Sequence, residues 1–164
     1  MPIYNIVFQS TPHESPPEPS PRALQLTGPV IPVQIEIPTP LSRQLQLIGQ
    51  VPPTPRPGFA LIDTGASVSA VDGAVVRDLG VQPVGIASVG TAGGHQQQDL
   101  YPARFVFPGT NIPSIEFSRL LGADLSGLRP HGLAGPLLAL LGRDILERFV
   151  MFYHGPNGMV TLAY

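Results

Sequence analysis

The chain contains no cysteine, so a disulfide framework, a thiol nucleophile and a thiolate metal site are all excluded. Lysine is absent too: all nine basic residues are arginine, which reads as coding bias rather than mechanism. Neither sign of charge dominates. A net charge of −2 and an isoelectric point near 6.0 imply neither nucleic acid nor an anionic membrane as a partner. No apolar run approaches the ~20 residues that a membrane helix needs. Met1-Pro2-Ile3-Tyr4 lacks the basic start and long apolar core of a signal peptide, and a cytoplasmic location is the expectation. His13, His95, His131 and His154 are scattered without metal-ligand spacing and read as loop residues; no metal and no cofactor is expected. At 164 residues the chain is long enough for one domain with a proper core and too short for two ordinary ones. No internal repeat is visible.

What is present centres on Phe59-Ala60-Leu61-Ile62-Asp63-Thr64-Gly65-Ala66-Ser67. An apolar run this short, bounded by turn residues, reads as a buried strand. Asp63 then sits where the strand leaves the core, on a loop that Gly65 lets turn tightly. A carboxylate there is costly to bury unless partners hold it or a proton neutralises it. Small neighbours leave room for a second backbone or a substrate to come close. Such a site suits a catalytic acid; the plain alternative is a loop aspartate that caps a turn.

The rest of the chain reads as strands and turns. Residues 1–9 can form a short strand, and Thr11 to Pro21 is a proline-rich linker with almost no apolar residue. Its Pro16-to-Pro19 PxxP pattern is either a plain spacer or a ligand for a proline-binding module. Leu24 to Ile37 reads as the first body strands, with Val33, Ile35 and Ile37 alternating with Gln34 and Glu36. A short apolar segment, Leu45 to Ile48, and the proline-rich turn Val51 to Gly58 follow. Asp72 to Leu79 makes two turns of helix, with Asp72 as N-cap and Gly80 as terminator. Val84 to Val89 and Tyr101 to Phe107 are strands around Gly90-Thr91-Ala92-Gly93-Gly94, and a further strand lies near Ile115 to Leu120. Leu137 to Leu141 is a strand apolar on both faces, Arg143 to Arg148 a short helix, and Phe149 to Tyr153 and Met159 to Tyr164 a pair of strands. The class is all-β, closed into a small barrel, with one or two short helices. Asp72, Asp78, Asp99 and Asp124 have no motif around them and read as solvated surface.

The Asp-Thr-Gly-Ala-Ser run after an apolar strand resembles the active-site loop of the aspartic proteases. Downstream, Leu140-Leu141-Gly142-Arg143-Asp144 is similar to the apolar-apolar-Gly-Arg-Asp/Asn segment of the retroviral type, the retropepsins. Order and separation of the two motifs match as well, and the resemblance covers roughly Leu24 to Tyr164. It implies a domain at 24–164 preceded by an arm and linker at 1–23, and a retropepsin-like barrel of the single-lobe kind. Pepsin-like relatives carry two motif copies per chain; here there is one, with no second Asp-Thr-Gly or Asp-Ser-Gly.

By the same resemblance the chain is an aspartic endopeptidase acting on peptide or protein substrates. Asp63, Thr64 and Gly65 form the catalytic motif, each subunit of a homodimer supplies one Asp63, and Thr64 hydrogen-bonds across the dimer axis. Val89 to Leu100 becomes the flap, against the alternative of an ordinary hairpin. Ala66, Ser67, Val89, Gly90, Thr91, Ala92, Gly93 and Gly94 fall at substrate-contacting positions, and Ala66, Val68, Ile86, Val89 and Leu137 make an apolar groove lining. Gly142, Arg143 and Asp144 support the active loop. Residues 38–57 stand as an insertion, and Met159 to Tyr164 resembles a strand that interleaves between subunits, although it can equally close the chain's own sheet. The chain also departs from the pattern. Retropepsins pair the motif arginine with an aspartate two residues beyond the glycine, where Ser67 stands; the next place, acidic in some retroviral enzymes, is Val68. That leaves a second reading, a catalytically weak or inactive dimeric peptide-binding or scaffolding module on the same fold. The arm at 1–23 suits removal by self-processing.

Overall fold

Two runs of alternating burial set the architecture. In β2 (Val30–Glu36) Val33 and Ile35 point inward between Gln34 and Glu36, and in β6 (Gly94–Val106) Tyr101, Ala103 and Phe105 do the same. This is the period-two pattern of strands with one buried face. In the computed structural model, which describes residues 3–9, 19–91, 94–128, 130 and 132–164, these strands pair with each other and close a ring. The remaining members are β3 (Arg56–Ile62), β4 (Ala70–Asp72), β7 (Ile115–Ala123) and β8 (Leu137–Leu141). The order β2-β3-β8-β4-β7-β6, with β6 returning to β2, is a six-stranded barrel, in keeping with the small closed barrel expected from the run of strands and turns. Its interior is the apolar core, including Ile31, Ile35, Ala60, Val71, Phe105 and Ala139, all at or below 1 % exposed.

β8 is the strand that places the site. It runs parallel to β3 on one side and antiparallel to β4 on the other, so the loop between β3 and β4 must cross over its end. A strand buried on both sides needs to be apolar throughout, and Leu-Leu-Ala-Leu-Leu is. β5 (Gly85–Thr91) pairs with β6 alone, from Gly85↔Leu100 to Thr91↔Gly94. Beyond Leu100 the hairpin therefore leaves the barrel as a two-stranded ribbon. Its strands run further than the glycines suggested: Gly90 and Gly94 are paired, His95 lies within β6 rather than in a loop, and the tip residues Ala92 and Gly93 fall outside the described residues.

Helices are more numerous than expected. α3 (Gly73–Asp78) and α4 (Arg143–Leu146) occupy the two anticipated places, with Asp72 capping α3 through Ala74 N and Val75 N. Asp72 is thereby 6 % exposed, a buried cap rather than the surface acid expected. α1 (Pro21–Thr27) takes up Leu24, which the alternation had assigned to a strand. Ser20 accepts from Ala23 N as N-cap, proline begins the first turn, and Leu24 packs into the core. α2 (Thr39–Leu47) occupies the first half of the 38–57 segment, also starting near prolines, with Leu41 and Leu45 resting on the barrel. Arg104, bridging Glu36 and Glu116, braces the same corner.

A second sheet joins the two ends of the chain: β1 (Ile3–Val7), β10 (Met159–Ala163) and β9 (Val150–His154), in the order β1-β10-β9. β1 thus belongs to the folded body. Phe8 is buried, its N–H donates to Gly158 O at 2.9 Å, and Ser20 N returns to Phe8 O at 2.7 Å. The expected PxxP segment and His13, like His131, lie outside the described residues apart from Pro19, which bridges to Gln9. His154 Nδ1 accepts from Asn157 N and closes the turn between β9 and β10. Among the described residues no helix is long and apolar enough to cross a membrane.

Candidate active site

Asp63 stands one residue beyond β3, and its backbone N–H donates to Leu141 O, the last residue of β8, at 2.9 Å. The β3 ladder so extends into the loop and fixes the aspartate before any side chain contributes. Its carboxylate is divided in use. Oδ1 accepts from Gly65 N at 2.9 Å and from Ala66 N at 3.2 Å, whereas Oδ2 has no donor among the described residues. Two amides aimed at one oxygen orient the group, and the other oxygen is left for a water or a second carboxyl. Gly65 is needed for closeness rather than for an unusual backbone angle. Its φ is not positive, but a Cβ there would stand 3.1 Å from Asp63 Oδ1.

The loop is clamped from the β8 side. Arg143 Nη1 donates to Thr64 O at 2.9 Å and to Gly65 O at 3.2 Å, and Arg143 N donates to Ala66 O at 3.0 Å. The arginine therefore holds the backbone of the Asp-Thr-Gly run, while the Ser67 side chain is exposed. Thr64 and Val68 are exposed beside it, and Ala66 is half-buried. The residue that does pair with the second motif is Ser69. It is 1 % exposed; its Oγ accepts from Gly142 N at 2.9 Å and donates to Asp144 Oδ1 at 2.7 Å, and its N–H donates to Asp144 Oδ2 at 3.0 Å. Asp144 also accepts from Ile145 N at 2.9 Å, which starts α4.

Sequence reasoning missed Ser69. The available signal was a lone hydroxyl leading the apolar pair Ala70-Val71, where a polar group must find a partner if the strand is buried. Gly142 completes the contact. A Cβ on it would fall 2.5 Å from the carbonyl carbon of Val68 and 2.9 Å from Ser69 N, so glycine alone allows the two loops to touch.

Of the other expected site residues, Val89, Gly90 and Gly94 lie in the projecting ribbon, with Thr91 at the end of β5. Ile86 and Val68 are exposed and half-buried Val89 lies on the ribbon. Leu137 does not fit the groove lining proposed for it. It is 3 % exposed, pairs with Phe59 at the far end of β8, and sits roughly 13 Å of strand away from Leu141 at ~3.3 Å per residue. There it lines a separate cleft of about 740 Å³ together with Val75, Asp78, Leu133 and Leu138. Near the base of the ribbon, buried Tyr101 accepts from Arg77 Nη1 at 2.9 Å and donates to Asp99 at 3.2 Å, which ties α3 to β6. Asp124, expected to be plain surface, is held below the ordinary carboxylate value by Ser126, which donates to it from both its hydroxyl and its N–H. No group of three or more histidine and acidic side chains among the described residues is arranged to hold a metal.

No protein-family model matches the chain, and no curated protein matches it. Among solved structures, the chain is similar to a simian foamy virus (mac) protease at 21 % identity, with a TM-score of 0.39 over 71 % of this chain and 91 % of that one. It is also similar to a retropepsin-like aspartic protease from Rickettsia conorii at 16 % identity, with a TM-score of 0.41 over 99 % of this chain and 92 % of that one.

Proposed function

We propose that the chain is an aspartic endopeptidase that works as a homodimer, with one Asp63 from each subunit forming the catalytic pair. The observation that carries this reading is the divided carboxylate: Oδ1 is pinned by two backbone amides and Oδ2 is open, on a loop braced by Arg143 and the Ser69–Asp144–Gly142 contact. Two such carboxyls facing one another share a single proton, because like charges this close resist ionising together; aspartic proteases are the standard case. The ionised member takes a proton from water as its oxygen attacks the peptide carbonyl carbon. The protonated member gives its proton to the carbonyl oxygen. Collapse of the tetrahedral adduct then breaks the C–N bond: the carboxyl that took the water's proton gives it to the amide nitrogen while the other carboxylate takes a proton from a hydroxyl of the adduct, which restores the shared-proton state without an acyl-enzyme. The β5–β6 ribbon serves as the flap over an extended peptide and excludes water when closed. Gly90, Thr91, Ala92, Gly93 and Gly94 are its contact positions, with Ala66 and Ser67 below. Thr64 links the two loops across the axis.

The test is digestion of a peptide library between pH ~3 and 7 by the parent and by Asp63→Asn. Cleavage by the parent with a bell-shaped pH profile, abolished in the variant, is the expected result; equal cleavage by Asp63→Asn eliminates the mechanism. A second reading, a peptide-binding or scaffolding module with little turnover, is favoured by Ser67 and Val68. Neither supplies an acid to grip a peptide backbone beside the loop. Tight binding of library peptides with no product after days of incubation would support it, and detectable product would end it.

A further inference from the structure

α2 ends in a turn that closes without help from the side chains it displays. Gly49, at φ +73°, takes the left-handed position; its N–H donates to Gln46 O at 3.0 Å, and Gln50 N–H donates to Leu45 O at 2.8 Å. Such a closure needs the glycine and is often sealed by an apolar residue after it, but here Gln50 stands in that place. Leu47, Ile48 and Val51 nevertheless surround the turn, at 87 %, 65 % and 90 % exposed. Leu41 and Leu45 already cover the helix's inward face, so these three are surplus to its packing. Nothing lies within 4 Å of a Cβ built at Gly49, and the turn stands clear of the barrel. Single exposed leucines need no explanation; three large aliphatic side chains gathered on one hydrogen-bonded turn do.

We propose that this turn is a membrane-docking knob: Leu47, Ile48 and Val51 enter the interfacial layer of an anionic bilayer, while Arg43 and Arg56 meet lipid phosphates at its edge. Charge decides the occupant. The chain as a whole has a net charge of −2, yet between Ile37 and Ile62 the only charged residues are Arg43 and Arg56. Neither is ion-paired among the described residues, whereas Glu36 and Glu116 on the adjoining barrel wall are both engaged by Arg104. Arg43 lies four residues before Leu47, one turn below it on the same stripe of α2. That spacing keeps a guanidinium at headgroup depth under an inserted aliphatic tip. Size points the same way. The three side chains expose on the order of 300 Å², against about 800 Å² per partner in a stable protein interface. A projecting tip this small suits a fluid phase that needs no matching surface. The Ile48, Gly49 and Gln50 N–H groups are already bonded within the turn, so insertion strands none of them. Asp63 follows the other end of β3, roughly 23 Å of strand from Arg56 at ~3.3 Å per residue, so the candidate active site lies clear of the lipid. The inference is independent of the peptidase reading, since a binding module would dock in the same way.

The chain has no tryptophan, so Leu47→Trp places a single reporter on the knob. The probes are vesicles of phosphatidylcholine alone and of phosphatidylcholine with phosphatidylglycerol at ~7:3. With the mixed vesicles the reporter's emission should shift to the blue and be quenched by lipids brominated along the acyl chain. The three side chains hold fewer carbons than one myristoyl chain, which binds at about 10⁴ M⁻¹, so half of the parent should co-sediment at ~0.1–1 mM lipid and be released on dilution. Each arginine adds about fivefold on the anionic surface, a gain lost in Arg43→Gln and at high salt. Leu47→Gln, Ile48→Gln and Val51→Gln together should weaken binding about tenfold or more. Val84→Gln, at a residue 51 % exposed and outside the turn, should leave binding unchanged. All of these side chains are exposed, so circular dichroism and thermal midpoints should match the parent and separate lost docking from lost folding. A parent still free at ~10 mM anionic lipid, a reporter whose emission neither shifts nor is quenched, or a triple variant that binds like the parent overturns the proposal. So does a triple variant that turns a dimeric parent into a monomer by sedimentation velocity without vesicles, because the knob would then belong to a second copy.

Discussion

Replacing Gly142 by alanine is the sharpest probe of how the candidate site is held. Its Cβ would lie 2.5 Å from the Val68 carbonyl carbon, 2.7 Å from the Val68 oxygen and 2.9 Å from Ser69 N. Ordinary contact begins near 3.4 Å, so the two loops must part by roughly 0.5 to 0.9 Å, and all three obstacles are backbone that cannot swing aside. Overpacking of this kind costs about 1–3 kcal/mol. The same movement stretches the buried Gly142 N to Ser69 Oγ bond, 2.9 Å in the parent, and an unsatisfied buried N–H costs about 1–3 kcal/mol more. The sum, roughly 2–6 kcal/mol, is a large share of the ~5–15 kcal/mol that holds a domain together. Ser69→Ala removes the hydroxyl without adding volume and should cost about 1–3 kcal/mol. Gly127→Ala is the control, because nothing lies within 4 Å of a Cβ there and its φ is not positive; it should stay within about 0.5 kcal/mol of the parent. Urea midpoints with unchanged slopes measure all three. If Gly142→Ala unfolds within 1 kcal/mol or so of the control, the loops are not in contact as described and the account of the clamp is wrong.

Arg143→Ala should split stability from activity. The arginine is exposed, so losing its bonds to Thr64 O and Gly65 O costs about 1 kcal/mol or less in a denaturation curve. A loop displaced by ~1 Å costs on the order of 100-fold in kcat/KM, and equal, small changes in both readouts would refute its positioning role. Burial raises the Tyr4 hydroxyl above its usual 10.0, so the folded state holds that proton more tightly than the unfolded chain. Its contribution is intact below pH 10 and is lost as pH rises through the raised value. The thermal midpoint of Tyr4→Phe should therefore fall less than that of the parent between pH 9 and 11, and parallel curves would contradict this. Ser67→Asp should leave stability within about 0.5 kcal/mol and alter KM more than kcat, because the side chain is exposed and outside the clamp. A changed kcat with unchanged KM would place Ser67 in the loop's support after all.

The parts legible in the sequence are those in which one residue type answers one physical demand. Leu137–Leu141 had to be a doubly covered strand, Asp72 and Gly80 had to bracket a helix, and the Asp63 turn had to follow a buried strand. What escaped depended on tertiary context. Leu24 carries no mark that separates a strand from a helix, and the cap at Ser20 with Pro21 after it was overlooked in favour of the apolar alternation that follows. α2 was hidden by its prolines, which begin the helix rather than forbid it. Ser69 showed in the sequence only as a hydroxyl in need of a partner, because the partners themselves are 73 and 75 residues away. Leu137 was misplaced because distance along β8 decides which residues meet Asp63, and the motif supplies no ruler for it.

On the proposed reading, Ser67 and Val68 bear on substrate grip and leave the aspartate's placement alone. An acid two residues beyond the glycine would brace the loop through an ion pair with the arginine. In this chain that brace is made otherwise, by guanidinium bonds to two carbonyls and by a buried serine bonded to both Asp144 and the Gly142 amide. Backbone acceptors cannot be lost by substitution, and the serine is sealed from solvent, so the loop is held by groups less exposed to salt and pH than a surface ion pair. The orientation of Asp63 is correspondingly independent of the residues beside it.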